Sequence, residues 1–274
     1  MKRFALISLA ILLAGCSAGS DDPRPVVATT TSYLECAVAD LAGDQFRVAR
    51  LLPPGSCPGH FDVSPSMLDK LADSDLLLRF QFQSTLDQKL HRFRDDGLRV
   101  VPVPSPEGLC LPASYRAVCR GVCRALCEVY PESALIYRER LARIEERMTA
   151  LSQELKTTVE QQGLAGARVL ASGHQAHFCR ALGLDVVGTF TGREAAAIQE
   201  LQACIRAGRE ADVRFVVANL QEGVQLADPL AQRLGAEVVV FSNFPSMEGA
   251  EKTFDALVRC NLDALRDAPG EPAP

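Results

Sequence analysis

"ESALIYRERLARIEERMTALSQELKTTVEQQ", residues 132–162, runs for 31 residues without a glycine or a proline. Apolar side chains recur through it at helical spacing (Leu135, Leu141, Ile144, Met148, Leu151, Leu155, Val159), and Glu and Arg fill the other faces. The pattern predicts one helix, begun at Pro131 and stopped at Gly163. At 1.5 Å per residue it would be about 46 Å long. Alone, such a helix reads as a coiled coil; its flanks make it a connecting rod.

On the N-terminal side, short apolar runs alternate with helical patterns. "VVATTT", "FRVARLL", "DLLLRF" and "LRVVPV" read as strands. Between them lie the helical stretches "YLECAVADLAG", "SPSMLDKLADS" and "STLDQKLHRF", with Ser64 as N-cap and Pro65 at the first helical position of the second. The C-terminal side repeats the alternation. "ARVLASG", "DVVGTF", "VRFVVANL" and "AEVVVFSNF" are strands, and "HQAHFCRALG", "AAAIQELQACIRAG", "LADPLAQRLG" and "AEKTFDALVRCNLDALRD" are helices. Strand–helix–strand alternation builds parallel sheets. The expected fold is α/β: two parallel-sheet lobes, residues 26–130 and 164–267, joined by one long α-helix over 131–163, with a ligand cleft between the lobes.

In parallel sheets, ligands gather where strands end and loops lead into helices. Cys57 and His60 lie in the loop after the second strand, in "PGSCPGHFDVSP" (54–65), and Glu107 follows the fourth strand. In the second set, His174 opens a helix after Ser172-Gly173, Glu222 follows "VRFVVANL", and Asn243 follows "AEVVVFSNF". At a helix N-terminus the macrodipole disfavours an imidazolium, so His174 is suited to donating a lone pair to a metal. His177 comes one turn later and shares its face. Asp62 is placed either to orient His60 or to cap the next helix. Cys57 is a candidate thiolate ligand or one half of a disulfide, with Cys36 as its candidate partner. His91, within "DQKLHRFRDD", belongs to a solvated charge run.

The chain has 274 residues and a formal net charge of −5, which argues against nucleic acid or an anionic membrane surface as partner. Tryptophan is absent and there are only four tyrosines, giving little basis for an aromatic stacking surface. Lys2 and Arg3 precede the apolar run Phe4–Leu13, too short to span a bilayer, and "LLAGC" ends in Cys16. Residues 1–15 thus read as a lipoprotein signal peptide, with Cys16 lipidated and residues 16–25 as a tether holding a soluble body at the cell envelope. Residues 268–274 read as a disordered tail. Of the ten cysteines, Cys119, Cys123 and Cys127 fall four apart on one helical stripe, as small apolar residues would.

Two α/β lobes, a single linking helix and a lipobox resemble the periplasmic metal-binding proteins of zinc- and manganese-type ABC importers, the cluster A-I substrate-binding family. "LLPPGSCPGHFDVSPSMLDKLADSDLLL" is similar to that family's first-lobe signature, "VLASGHQAHFCRALGLDVVGTF" to its second-lobe histidine segment, and "FDALVRCNLDAL" to its last helix. The resemblance also marks departures. Cys57 and Gly59 stand where the family's first Asp and His fall, with His60 one place later, and Glu107 stands at its second histidine. Asn219 or Gln221 lies near its usual Glu, with Glu222 close by, and Asn243 takes the place of an Asp. The His-rich loop of many zinc members is absent.

The resemblance implies a lipid-anchored, monomeric, non-catalytic receptor that captures zinc, or else manganese or iron(II), and delivers it to a permease and its ATPase. His60 and His174 would be ligands, with Glu222, Cys57 and Glu107 competing for the remaining positions; Asp62, His177, Asn219, Gln221 and Asn243 would line the cleft. Two alternatives stand beside it. The same fold could hold a chelated metal or small organic ligand, or the chain could be a metal-dependent hydrolase, although it carries neither His-Glu-x-x-His nor Gly-x-Ser-x-Gly.

Overall fold

The computed structural model describes residues 22–59, 63–191, 198–247 and 252–268. The leader, Cys16, His60 and Asp62 lie outside them, as do the starts of two expected helices (195–197 and 250–251).

All eight expected strands form. The first sheet contains β1 (Val26–Thr29), β2 (Arg47–Arg50), β3 (Leu76–Phe80) and β4 (Arg99–Val103), in the order β2-β1-β3-β4. The second contains β5 (Arg168–Ser172), β6 (Asp185–Phe190), β7 (Phe215–Asn219) and β8 (Glu237–Phe241), in the equivalent order β6-β5-β7-β8. Every pairing is parallel. β1, β3 and β7 are buried along their whole length, which is why they read as mainly apolar runs rather than alternating ones. In each sheet the chain reverses its winding between the two central strands, so a crevice opens at their carboxyl ends.

Hydroxyl caps start the first two helices of the first lobe. The Leu34 N–H donates to Thr31 Oγ1 at the head of α1 (Ser32–Ala42), and the Met67 N–H donates to Ser64 Oγ at the head of α2 (Pro65–Ala72), where Pro65 is the first helical residue as expected. The stretch "STLDQKLHRF" departs from the expected helix. A 3-10 run, Gln81–Lys89, leads into the five-residue α3 (His91–Asp95). The reason lies in Gln83, whose Oε1 accepts from the Phe80 N–H and from Thr30 Oγ1 while its Nε2 donates to the Pro58 carbonyl. That side chain turns inward and competes with regular helical bonding.

α4 (Pro112–Val129) and α5 (Ala134–Gln161) are separated by a 3-10 turn, Pro131–Ser133. α5 is the expected long helix at 28 residues, ended by Gly163 in the left-handed region at φ +66°. Its buried stripe is Tyr137, Ile144, Met148, Leu151, Leu155 and Val159. Leu135, assigned to that stripe from spacing, is 74% exposed, and Tyr137 is buried in its place. α6 (Gly173–Ala181), α7 (Ile198–Ala211), α8 (Ala227–Leu234) and α9 (Phe254–Arg266) complete the second lobe. No described helix is long and apolar enough to cross a membrane.

The long helix is more than a rod. One continuous apolar cluster takes in α1, α4, α5, α9 and both sheets. At its centre Tyr33 of α1 meets Phe244 and Phe254 edge-on, with centroids 6.3 and 5.9 Å away. Arg147 of α5 pairs with Asp40 of α1 and lies 3.3 Å from Asp255 of α9. Asp40 also accepts from the Tyr115 hydroxyl of α4 at 2.7 Å. Burial pushes the Asp255 carboxyl up from its ordinary range, with Arg147 pulling it back, while Asp40 drives the Arg147 guanidinium upward against its own desolvation. Both lobes are therefore tied to the same helix by charge as well as by packing.

Candidate metal-binding cleft

A cleft of about 530 Å³ opens where the carboxyl ends of the two sheets face each other. The first lobe contributes the Cys57–Gly59 loop after β2, Phe82, and the Ser105–Leu109 loop after β4; the second contributes His174, His177, Glu222 and Asn243 among others. Expectation and structure agree that the strand-end loops of both lobes converge.

His174 and Glu222 form its most defined donor pair. β5 and β7 are hydrogen-bonded neighbours, so the loops leaving them start side by side. His174 sits in the first turn of α6, its N–H donating to the Ser172 Oγ cap at 3.3 Å. Glu222 ends a single 3-10 turn, Leu220–Glu222, directly after β7. The result places His174 Nε2 3.5 Å from Glu222 Oε1. Ser172 Oγ donates to the other carboxylate oxygen, Glu222 Oε2, at 2.5 Å, which fixes the carboxylate and leaves Oε1 facing the imidazole. The imidazole is 65% exposed while the carboxylate is only 12% exposed, so the pair has one buried anchor and one open face.

The second pair bridges the lobes. Glu107, after β4, meets His177 of α6 with 3.1 Å between Oε2 and Nε2. Between them the backbone runs close. A Cβ on Gly108 would stand 2.9 Å from the His177 Cβ and 2.8 Å from Leu111 Cδ1, and Gly108 has φ +66°, so both space and backbone conformation require glycine there. Cys57 is exposed at the opposite wall, and Gln83 anchors the following residue, Pro58. Cys36 is a free thiol buried against the Tyr115 hydroxyl, 3.3 Å away, so the disulfide considered between Cys36 and Cys57 is not formed. Among the described residues, no three of His, Cys, Asp and Glu draw together as a closed metal site.

The amides weighed as ligand replacements have other work. Asn243 Oδ1 accepts from Gln175 Nε2 at 3.1 Å and from Cys110 Sγ at 3.3 Å; Asn219 Oδ1 accepts from the same Gln175 amide at 3.0 Å. Gln221 donates to Ser242 Oγ and across the cleft to the Pro54 carbonyl, and accepts from the Asn243 N–H. Asn261 donates to Cys110 Sγ and to the Ser242 carbonyl. The cleft floor is thus an uncharged thiol–amide network joining the lobes, and burial pushes the Cys110 thiol well above its usual range. Spacing gave no warning of Cys110, Gln175 or Asn261, because each acts through a neighbour from another element. Exposure of Phe82 at 47% beside the cleft was equally hidden.

Two parallel sheets of identical order, joined through a long helix with a donor-lined cleft between them, define a two-lobed substrate-binding receptor. The chain belongs to the family described as zinc-uptake complex component A, periplasmic, whose model matches residues 110–268, more than half of its length. This is the kind of ABC-importer metal receptor its motifs resemble. Solved structures carry the same fold over the rest. The Mn-bound and Cd-bound periplasmic metal binding protein from candidatus Liberibacter asiaticus each superpose with a TM-score of 0.74 at 17% identity, covering 89% of this chain and 99% of theirs. A crystal structure of ZnuA gives the same TM-score, identity and coverage.

Proposed function

We propose that this chain is a periplasmic receptor that captures a divalent metal ion between its lobes and passes it to an ABC permease driven by its ATPase. It acts as a monomer held at the envelope by lipid on Cys16. The observation that carries the reading is the His174–Glu222 pair, 3.5 Å apart and oriented by Ser172, at the point where the second sheet reverses its winding. An imidazole with a carboxylate suits zinc, with manganese and iron(II) next in line. His60, three residues beyond Cys57 in the sequence, supplies a further ligand, and Cys57 or Glu107 completes the set. No bond of the cargo is made or broken, so no catalytic residue is assigned. Because Arg147 ties both lobes to α5 and the aromatic cluster joins the lobes directly, release proceeds by small loop movements rather than wide hinging. Calorimetric titration of zinc into the soluble body tests this. Submicromolar binding, weakened at least a hundredfold by His174→Ala or by Glu222→Gln, supports it; unchanged affinity in both variants defeats it.

One observation favours a second reading. A cleft of about 530 Å³ with Phe82, Leu109 and Phe244 on its walls is larger and more apolar than a bare ion needs, and falls in the range typical of small-molecule sites. In this reading the cargo is a metal chelate or a small organic molecule. Thermal stabilisation by the chelated form but not by the free ion would select it.

A further inference from the structure

Far from the cleft, α4 and α5 meet at the 3-10 turn Pro131–Ser133, and two cysteines of the stripe "CRGVCRALC" converge in that elbow. Cys123 Sγ and Cys127 Sγ are 4.0 Å apart and both are free thiols. Cys127 Sγ also lies 3.9 Å from the carbonyl of Ala134, the first residue of α5. Cys123 is only 4% exposed, whereas Cys127 is partly exposed and gives access from solvent.

We infer that Cys123 and Cys127 form a second metal site, a two-thiolate clamp for a soft monovalent ion of the copper(I) class, separate from the divalent site in the cleft. The sulfur spacing is the first argument. With metal–sulfur bonds of about 2.3 Å, two sulfurs stand about 3.8 Å apart at a tetrahedral angle and about 4.6 Å apart when collinear. The observed 4.0 Å lies between these limits, so small side-chain rotations reach a bent or linear S–M–S arrangement without moving the helix. Hard divalent ions need more ligands and prefer oxygen or nitrogen, while copper(I) is satisfied by soft thiolates. The same pair is a poor disulfide, since adjacent turns of a straight helix hold the two Cβ atoms too far apart.

Charge is the second argument. Binding replaces two S–H bonds with two S–Cu bonds and releases two protons to solvent; no electron is transferred, because the ion arrives as copper(I). The product carries one negative charge, and Arg138 of α5 is close enough to act electrostatically on Cys123.

The reduced full chain, titrated with copper(I) against a chromogenic copper(I) chelator, tests the clamp, with X-ray absorption reporting the ligands. One equivalent held by two sulfurs is expected. It should weaken at least a hundredfold in Cys123→Ser and in Cys127→Ser, and persist in Cys57→Ser and His174→Ala, which probe the cleft instead. Because Cys123 is buried, the partly exposed Cys127→Ser decides the matter should Cys123→Ser misfold by circular dichroism. No copper(I) retained against the chelator, an equivalent that survives Cys127→Ser, or one that disappears with Cys57→Ser overturns the inference. Failure here leaves zinc binding in the cleft untouched.

Discussion

Tyr115 of α4 and Phe254 of α9 lie face to face, their ring centroids 4.2 Å apart and their planes 7° from parallel. One ring belongs to the first lobe's helical layer and the other to the last helix of the second. Both are fully buried, so this stack is a direct weld between halves of the chain separated by 139 residues (254 − 115).

Removing the stack should loosen both lobes together. Phe254→Ala is expected to cost about 3–5 kcal/mol, the usual range for deleting a buried aromatic ring. Urea unfolding followed by circular dichroism checks it. A single transition moved to lower urea is expected; two separated transitions, one for each lobe, would contradict the welded arrangement.

Arg147 offers an independent probe of the same weld. Replacing it with Met leaves Asp40 and Asp255 facing each other without a cation between them. Breaking a fully buried pair costs about 3–5 kcal/mol, but the Arg147 side chain is 39% exposed, so solvent screening brings the expectation to about 1–2 kcal/mol. The loss should shrink at acid pH, where Asp255, raised by burial, takes up its proton early and the repulsion between the two carboxylates fades.

Alkaline pH should weaken the fold through buried thiols. Burial pushes Cys36 and Cys179 up to about 12, and Cys110 and Cys119 rise from the same cause. Folded thiols then keep protons that unfolded thiols lose, so the native state binds more protons and stability falls as pH rises beyond the ordinary thiol range. Each such thiol costs about 1.4 kcal/mol per pH unit above about 9, until its own folded value is reached. Melting temperature measured from pH 7 to 11 should be flat at first and then fall steeply, and Cys36→Ala with Cys179→Ala should soften the fall.

Gly108→Ala should damage the cleft without touching a donor. Its added methyl meets the His177 Cβ and Leu111 at under 3 Å, on a backbone that disfavours any side chain. A stability loss of about 1–3 kcal/mol is expected, together with weakened zinc affinity. Parallel denaturation and calorimetry would show both changes; weakened stability with native affinity would mean that the Glu107 loop takes no part in binding.

The architecture was legible because it rests on local signals. Apolar runs between turn residues marked the strands, Ser64-Pro65 marked a helix start, and the Gly- and Pro-free stretch marked α5. Strand-end placement also brought Cys57, Glu107, His174 and Glu222 to one cleft. What stayed hidden depends on contacts between distant segments. The expected helix after β3 gave way to a 3-10 run because Gln83 bonds to Thr30, Phe80 and Pro58, partners no window of sequence contains. Asn243, Asn219 and Gln221 suggested weakened ligands by position, yet Gln175, Cys110 and Ser242 engage their amides instead. The pairing of His60 with His174 across the cleft remains a proposal, since residue 60 lies outside the described residues.

An anomalous difference map from crystals of the zinc-loaded chain tests the central claim most directly. The account predicts one strong peak in the inter-lobe cleft, about 2.0–2.2 Å from a His174 ring nitrogen and from a Glu222 oxygen, with a further ligand from the loop that carries Cys57 and His60. A cleft free of zinc under saturating conditions, or a peak bonded to neither His174 nor Glu222, would contradict it.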